Sequence, residues 1–300
     1  MLFAPTDDEH THAVQRTLER RSVPTARIDL ASVVHPVTIR PGRSVEVGNV
    51  VLEPGVAVWW RRTGIVPDLP GLDATENRLR AEESEALLIG GLLALTRRWV
   101  DDPFVVLAAE HTLKQLAAAA RVGARVPDTI ATNHPATARA ALDRTAGGGR
   151  WLAKATSAGA GIAPYADVID PATLDLLPAC ITLLQQVQNA TADLRAVVVG
   201  DQVWWWIRPR SSDQPLDWRA ADPTGRGFAA LPDSLATIAP TGVAIEINRE
   251  LGLRFSVQDW LVVNDEPVFL EVNPSGQWLF LTDAATTVSE ALADLLCAGD

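Results

Sequence analysis

Lysine is nearly absent from this chain. Of its 26 basic residues only Lys114 and Lys154 are lysines. With so much alanine beside the arginine, the pattern looks like a GC-rich coding bias. A lysine retained on a predicted strand beside glycines is therefore worth weighing as functional. Cysteine is scarce too. Cys180 and Cys297 show no CxxC or metal-ligand spacing, which argues against a thiolate metal site or a dithiol redox motif. Both lie among apolar residues, so buried thiols are expected. No apolar run is long enough to span a bilayer, the longest lying around Ala86–Thr96. The amino-terminal stretch MLFAPTDDEHTHAV has no basic flank and no long apolar core. No signal peptide is expected there, and a cytoplasmic location is. Positive charge is in deficit: acids exceed bases by 37 to 26, for a net charge of −11. That makes nucleic acid and anionic membranes poor partners, although a local basic cleft could still hold phosphates.

What is present is ordinary globular composition. The chain has 300 residues, 47% hydrophobic and 21% charged, far from the signature of disorder. The length suggests two or three folding units. Residues 1–60 read as a small α/β unit. Thr11–Arg20 is an amphipathic helix after the Asp7–Asp8 cap region. Arg27–Leu30 is a strand. Val37–Arg40 and Val45–Leu52 suggest a hairpin around Pro41-Gly42, and Val56–Trp60 is a buried strand. Asp73–Val100 is helical in pattern, with Leu79, Leu87, Leu88, Leu92 and Leu95 roughly on one face. Asp101-Asp102-Pro103 breaks it. A second helix, His111–Val122, ends at Gly123. Val126–Asn133 is a short strand and turn, and Pro135–Asp143 a short helix. A strand between two glycine-rich loops then carries Lys154. The last third is mostly strand: Ile181–Val187, Leu194–Val199, Val203–Ile207, Phe255–Val263 and Pro267–Val272. Glu246–Leu251 is helical. Ser211–Pro232 is polar, rich in Pro, Gly and Asp, and reads as a flexible loop. Trp204–Trp206 reads first as packing on both faces of a strand, and second as an aromatic wall for a peptide or nucleobase.

The segment Phe269–Trp278 carries the strongest chemistry. On a strand, Glu271 and Asn273 face the same side, and two oxygen-bearing side chains at a strand end suit a hard divalent cation. Upstream, Asp259 sits among apolar neighbours and needs a partner or a metal. A hairpin around Asn264-Asp265-Glu266 would set Asp259 across from Glu271. Against this stands the bland reading, two carboxylates that merely cap turns. Lys154, followed by Ala155-Thr-Ser-Ala-Gly-Ala-Gly161, can place one ammonium on a phosphate while Gly159 and Gly161 let the backbone approach closely. Arg195 and Arg208 end neighbouring strands and suit phosphate or carboxylate, or simply pair within the sheet.

The succession Val58–Arg62, Asp102-Pro103, Ala108–Glu110, Lys114–Leu116, Val126–Asn133, Lys154, Asp193–Arg195, Asp217–Arg219, Asp259 and Glu271–Trp278 closely resembles the ATP-grasp peptide maturases of the microviridin, or graspetide, class, over nearly the whole chain. The resemblance implies an α/β (α+β) ATP-grasp fold: an N-terminal domain over 1–100, a central lid over 101–187 and a C-terminal domain over 188–300, with ATP between two antiparallel sheets. It implies ATP and two Mg²⁺ ions as cofactors and a ribosomally made precursor peptide, leader plus core, as partner; a homodimer is left open. Such enzymes join Asp or Glu side chains to Ser or Thr hydroxyls as esters, or to Lys amines as amides. It places the adenine hinge at Gln185, Gln186 and Val187. Asp259, Glu271 and Asn273 would hold the metals, and Lys154 with Arg195 or Arg208 would contact phosphate.

Three departures from the family pattern bear on nucleotide affinity. Thr112 stands where the family carries a lysine, and Lys114 is rotated about 200° from that position around a helix. Gln185-Gln186 replaces Gln-Glu, and Asn189-Ala-Thr-Ala lacks a lysine before Asp193. Three functional classes remain open: a peptide cross-linking ligase, a ligase for a free amino acid or small peptide, and a non-catalytic peptide-binding relative.

Overall fold

The computed structural model describes residues 2–29, 31, 35–61, 66–144, 149–156, 167–211 and 213–298. The amino-terminal part contains β1 (Leu2–Phe3), α1 (Glu9–Arg20), β2 (Arg27–Ile28), β3 (Val37–Arg40), β4 (Ser44–Val47), β5 (Val50–Leu52), β6 (Val58–Trp60), α2 (Ala74–Leu95) and β7 (Trp99–Val100). A short parallel sheet runs β2-β1-β6-β7. Asp8 caps α1 by accepting from Thr11 N at 2.8 Å. Asp73 and Glu76 close a capping box on α2, which satisfies donors that the first helical turn leaves unpaired.

Three local expectations shift. The expected hairpin is a three-stranded meander, β3-β4-β5. The long helix stops at Leu95, and Trp99-Val100 instead pairs with β6. On α2, Leu79 and Leu87 are exposed; the stripe that packs is Leu88, Gly91, Leu92 and Leu95. Gly91 sets that face, because a Cβ there would meet Ile39 of β3 at 2.7 Å.

The middle of the chain adds α3 (Pro103–Ala109), α4 (Thr112–Arg121), β8 (Thr129–Thr132), α5 (Pro135–Asp143), β9 (Trp151–Lys154), β10 (Asp167–Val168), a 3₁₀ helix over Pro171–Ala179 and β11 (Thr182–Gln186). Beyond the break at Asp101-Asp102-Pro103 a new helix starts: Asp102 caps α3 and Pro103 fills its first turn. An antiparallel sheet, β10-β9-β11-β8, holds a small core of its own built from Ala138, Ala141, Trp151, Leu174, Leu177 and Leu184.

The last third forms β12 (Ala192–Val199), β13 (Gln202–Pro209), α6 (Trp218–Ala221), β14 (Ala229–Ala230), a 3₁₀ helix over Asp233–Ile238, α7 (Thr241–Leu251), β15 (Phe255–Val263), β16 (Glu266–Asn273) and α8 (Ala284–Cys297). Its sheet, β14-β13-β12-β15-β16, is antiparallel. One face packs with α1, α8 and the parallel sheet, the other with α3, α4 and α7. The stretch read as a flexible loop carries α6 and β14, and Phe228 within it is buried. Trp205 and Trp206 are buried on opposite faces of β13, as the packing reading expected. Both cysteines are exposed rather than buried: Cys180 follows the 3₁₀ helix just before β11, and Cys297 ends α8. No helix among the described residues is long and apolar enough to cross a membrane.

Candidate active site

The sheets β10-β9-β11-β8 and β14-β13-β12-β15-β16 face each other across a cavity of about 320 Å³. That is within the range of small-ligand sites. One wall comes from β9 and β11, the other from β12, β15 and β16, and the α6 segment flanks them.

The acidic end of the cavity is built by a hairpin. Asn264 and Asp265, with φ of 53° and 62°, make the two-residue turn between β15 and β16, the left-handed pair that matches strand twist. The register then sets Asp259 opposite Glu271 and Val257 opposite Asn273. A bulge between Asp259 and Trp260 follows. Beyond Asn273 the chain turns back tightly. Gly276 donates to Asn273 O at 3.0 Å, and a Cβ on it would lie 2.3 Å from Val257 Cβ. Only glycine fits that return.

Each acid has a cationic partner. Arg195 faces Asp259 directly across β12–β15 and donates to it at 2.6 Å, with its second arm on Gln277 O at 3.1 Å. Lys154, from the opposite sheet, pairs with Glu271. Burial pushes the Asp259 carboxyl up to about 6, Arg195 opposing and the negative charge of Glu271 adding to the rise. Burial also works to raise Glu271, but Lys154, Arg219 and the Asn273 amide outweigh it and hold that carboxyl below its ordinary value. As pH falls, Asp259 therefore takes a proton before Glu271 does, and with both ionised the two facing carboxylates repel. A divalent cation would relieve that repulsion, and the donor set, two carboxylates and an amide oxygen, suits a hard one. The residues present fit the group.

Around these acids lies a second set of charges. Arg219 forks onto Asp217, Nε–Oδ1 2.9 Å and Nη2–Oδ2 2.6 Å. That pairing and the nearby Glu271 and Asp259 raise its already high pKa. Asp217 is held down by the same contact against the opposing effect of burial. At the other end of the cavity Gln185, Gln186, Val187 and Gln188 line the wall with Pro127, Leu152, Leu261 and Leu270. Gln185 is buried and donates to Thr129 Oγ1 at 3.0 Å. The cavity therefore runs from an apolar, amide-edged end to a charged end, a polarity suited to a nucleotide's base and phosphates.

The structure sorts the residues singled out in sequence. It brings Lys154, Gln185, Gln186, Val187, Asp259, Glu271 and Asn273 to one cavity. Arg195 is buried behind Asp259, its guanidinium against the rings of Trp218 and Phe280 at 5.6 and 5.3 Å. Arg208 is not brought to the cavity. It lies opposite Asp193 across β12–β13, and that carboxylate takes both Arg208 and Arg210, each at 2.9 Å. A cross-strand acid has absorbed it. Gly159 and Gly161 lie outside the described residues. Sequence reasoning gives no role to Arg219 or Asp217, which line the cavity, although Asp217–Arg219 belongs to the succession that carries the resemblance. Gln188 and Arg210 also line it, with no role assigned to them in sequence, and so does Gln115, which the resemblance included within Lys114–Leu116 without a role. Thr112 lines the cavity as well, while Lys114 is exposed and outside it.

No protein-family model matches the chain, and no curated protein matches it. Solved structures do. Macrocyclase MdnC from Microcystis aeruginosa MRC, bound with precursor peptide MdnA, is 23% identical over 100% of both chains, with a TM-score of 0.81. A Chryseobacterium gregarium RiPP-associated ATP-grasp ligase, in complex with ADP and a leader and core peptide, is 21% identical over 99% of this chain and 95% of that one, at 0.82. Macrocyclase MdnB from Microcystis aeruginosa MRC is 25% identical over 99% of this chain and 98% of that one, at 0.77. The chain has the ATP-grasp fold.

Proposed function

We propose that the protein is an ATP-dependent carboxylate ligase acting on a ribosomal precursor peptide. It activates Asp or Glu side chains as acyl phosphates and joins them to Ser or Thr hydroxyls or Lys amines. The observation that carries this reading is the meeting of Lys154 from one antiparallel sheet with Glu271, beside Asp259 and Asn273, from the other. Structures sharing the fold contain ADP and precursor peptides, which supports both the nucleotide and the peptide.

In this reading Asp259, Glu271 and Asn273 hold two Mg²⁺ ions, which when bound offset charge on the transferring phosphoryl group. Lys154 leaves Glu271 for a phosphate oxygen. Gln185, Gln186 and Val187 take the adenine. Arg195 keeps Asp259 aimed and ionised, and Arg219 is placed to receive the substrate carboxylate or the phosphoryl oxygens. Within the stretch 101–187 read as the lid, the described elements from β8 to β11, which have a core of their own, move to exclude water from the activated acyl group. Helices α3 and α4 stay with the C-terminal sheet whose core they share. A cytoplasmic location and a homodimer belong to the same proposal.

The test is direct. The protein is incubated with ATP, Mg²⁺ and the peptide of a short neighbouring reading frame rich in Thr, Ser, Asp and Glu, and product is weighed by mass spectrometry. Loss of one water per cross-link, absent in Glu271→Gln, is the expected result. ADP release driven by free amino acids, with every candidate peptide unchanged, would overturn the peptide assignment.

A further inference from the structure

The strand that carries Glu271 and Asn273 is the edge of its sheet: among the described residues β16 has β15 on one side only. An edge strand offers unpaired N–H and C=O groups that must be satisfied when buried. At Val272, between the two metal-ligand candidates, both are taken by one side chain. Gln115 Nε2 donates to Val272 O at 2.7 Å, and Gln115 Oε1 accepts from Val272 N at 3.0 Å. The second Nε2 hydrogen goes to Ala109 O at 2.7 Å. The amide thus acts as a one-residue strand on the open edge, and the same group ties down the end of α3 beside Glu110, which lines the cavity. Gln115 is 3% exposed, and only an amide supplies two donors and an acceptor in this geometry.

We propose that Gln115 is a positioning residue for the cation site: by clamping both backbone groups of Val272 it fixes the peptide planes on either side, and with them the directions of Glu271 and Asn273. Gln115 touches neither nucleotide nor substrate in this account. The inference rests on the proposed cation site and predicts which residue outside the ligand set controls its affinity. Leucine at this position fills the space and leaves Val272 unclamped. A glutamate donates to Val272 O only while protonated, so its effect depends on pH.

The experiment uses the full chain with Mn²⁺ as the probe. Mn²⁺ affinity is read by electron paramagnetic resonance with ADP present, and ADP affinity by calorimetry in EDTA. Gln115→Leu should weaken Mn²⁺ binding about 10- to 100-fold, the range for groups that orient metal ligands, with metal-free ADP affinity kept within about twofold. Gln115→Glu, measured against wild type at each pH, should lose Mn²⁺ affinity as pH rises from about 6 to about 8.5. Mn²⁺ affinity within about twofold of wild type in Gln115→Leu, or an equal loss of ADP affinity in EDTA, overturns the proposal. Should Gln115→Leu fail to fold, a flat pH ratio in Gln115→Glu overturns it. If wild type shows no Mn²⁺ binding that Glu271→Gln removes, the cation-site reading falls and takes this inference with it. If that binding is present and Gln115→Leu matches wild type, only this inference falls.

Discussion

Lys154→Met separates the roles of the two sheets. Lys154 and Glu271 neutralise each other across the cavity, and theirs is the ion pair that links the two sheets among the described residues. To bind a metal–nucleotide complex both must change partners. Their side chains are 19% and 25% exposed, so the pair lies between exposed pairs, worth about 0.2–1 kcal/mol, and buried ones, whose breaking costs about 3–5 kcal/mol. Taking about 1.5 kcal/mol, removal of the ammonium should tighten Mn²⁺ binding without nucleotide about tenfold. A lost hydrogen bond from a charged donor to phosphate costs about 1.5–3 kcal/mol, so ADP binding in EDTA should weaken about 10- to 150-fold. The measurement is calorimetry of each ligand alone at pH about 8, well above the ordinary carboxylate range. Opposite signs are the signature. If both affinities fall, Lys154 does not compete with the cation for Glu271 and the reasoning fails.

Glu271→Gln should abolish ATP-dependent turnover of a peptide substrate while circular dichroism and melting stay near wild type; wild-type turnover would remove Glu271 from the metal set. Lys114→Ala should leave ADP affinity within about twofold, because Lys114 is exposed and outside the cavity, and a larger loss by calorimetry would mean the lysine roles are reversed. The Asp259 carboxyl, raised to about 6, keeps its proton below that pH and must release it to take a cation. Mn²⁺ affinity with ADP should therefore fall about tenfold per unit of pH below about 6 and level off above it, as titration across pH will show. A precursor peptide should protect residues 211–231 from hydrogen exchange, since Leu216, Trp218 and Phe228 there line the cavity; protection confined to β15 and β16 would place docking elsewhere.

The pairing of Asp259 with Glu271 was legible because every step is local. Asn264-Asp265 is a turn signal, the strands on either side are apolar, and a period of two sets Glu271 and Asn273 on one face. Lys154 stood out because lysine is rare. Helix α1 announced its cap at Asp8, and the buried indoles of Trp205 and Trp206 follow from a strand covered on both faces. The face of α2 was misread, since leucine at 79 and 87 fits the helical period as well as leucine at 88 and 92 does. Only the close approach of Ile39 at Gly91 chooses between them.

Arg208 and Arg219 show the same division. Both are arginines near strand or helix ends, and nothing in their neighbours says which one an acid will absorb. The β12–β13 register gives Arg208 to Asp193, whereas Arg219 stays at the cavity with Asp217. Gln115 is more hidden still, an ordinary helical glutamine until α4 lies along the open edge of β16, 157 residues away in sequence. Sequence alone determined β12, β13, the β15–β16 hairpin and the chemical types of the candidate ligands, because short-range sterics and side-chain periodicity act within a few residues. The meeting of Lys154 with Glu271, the loss of Arg208 from the cavity and the clamp on Val272 were decided only in the tertiary structure. Each depends on how separate sheets and helices pack, and that is settled by the burial of whole faces rather than by any local pattern.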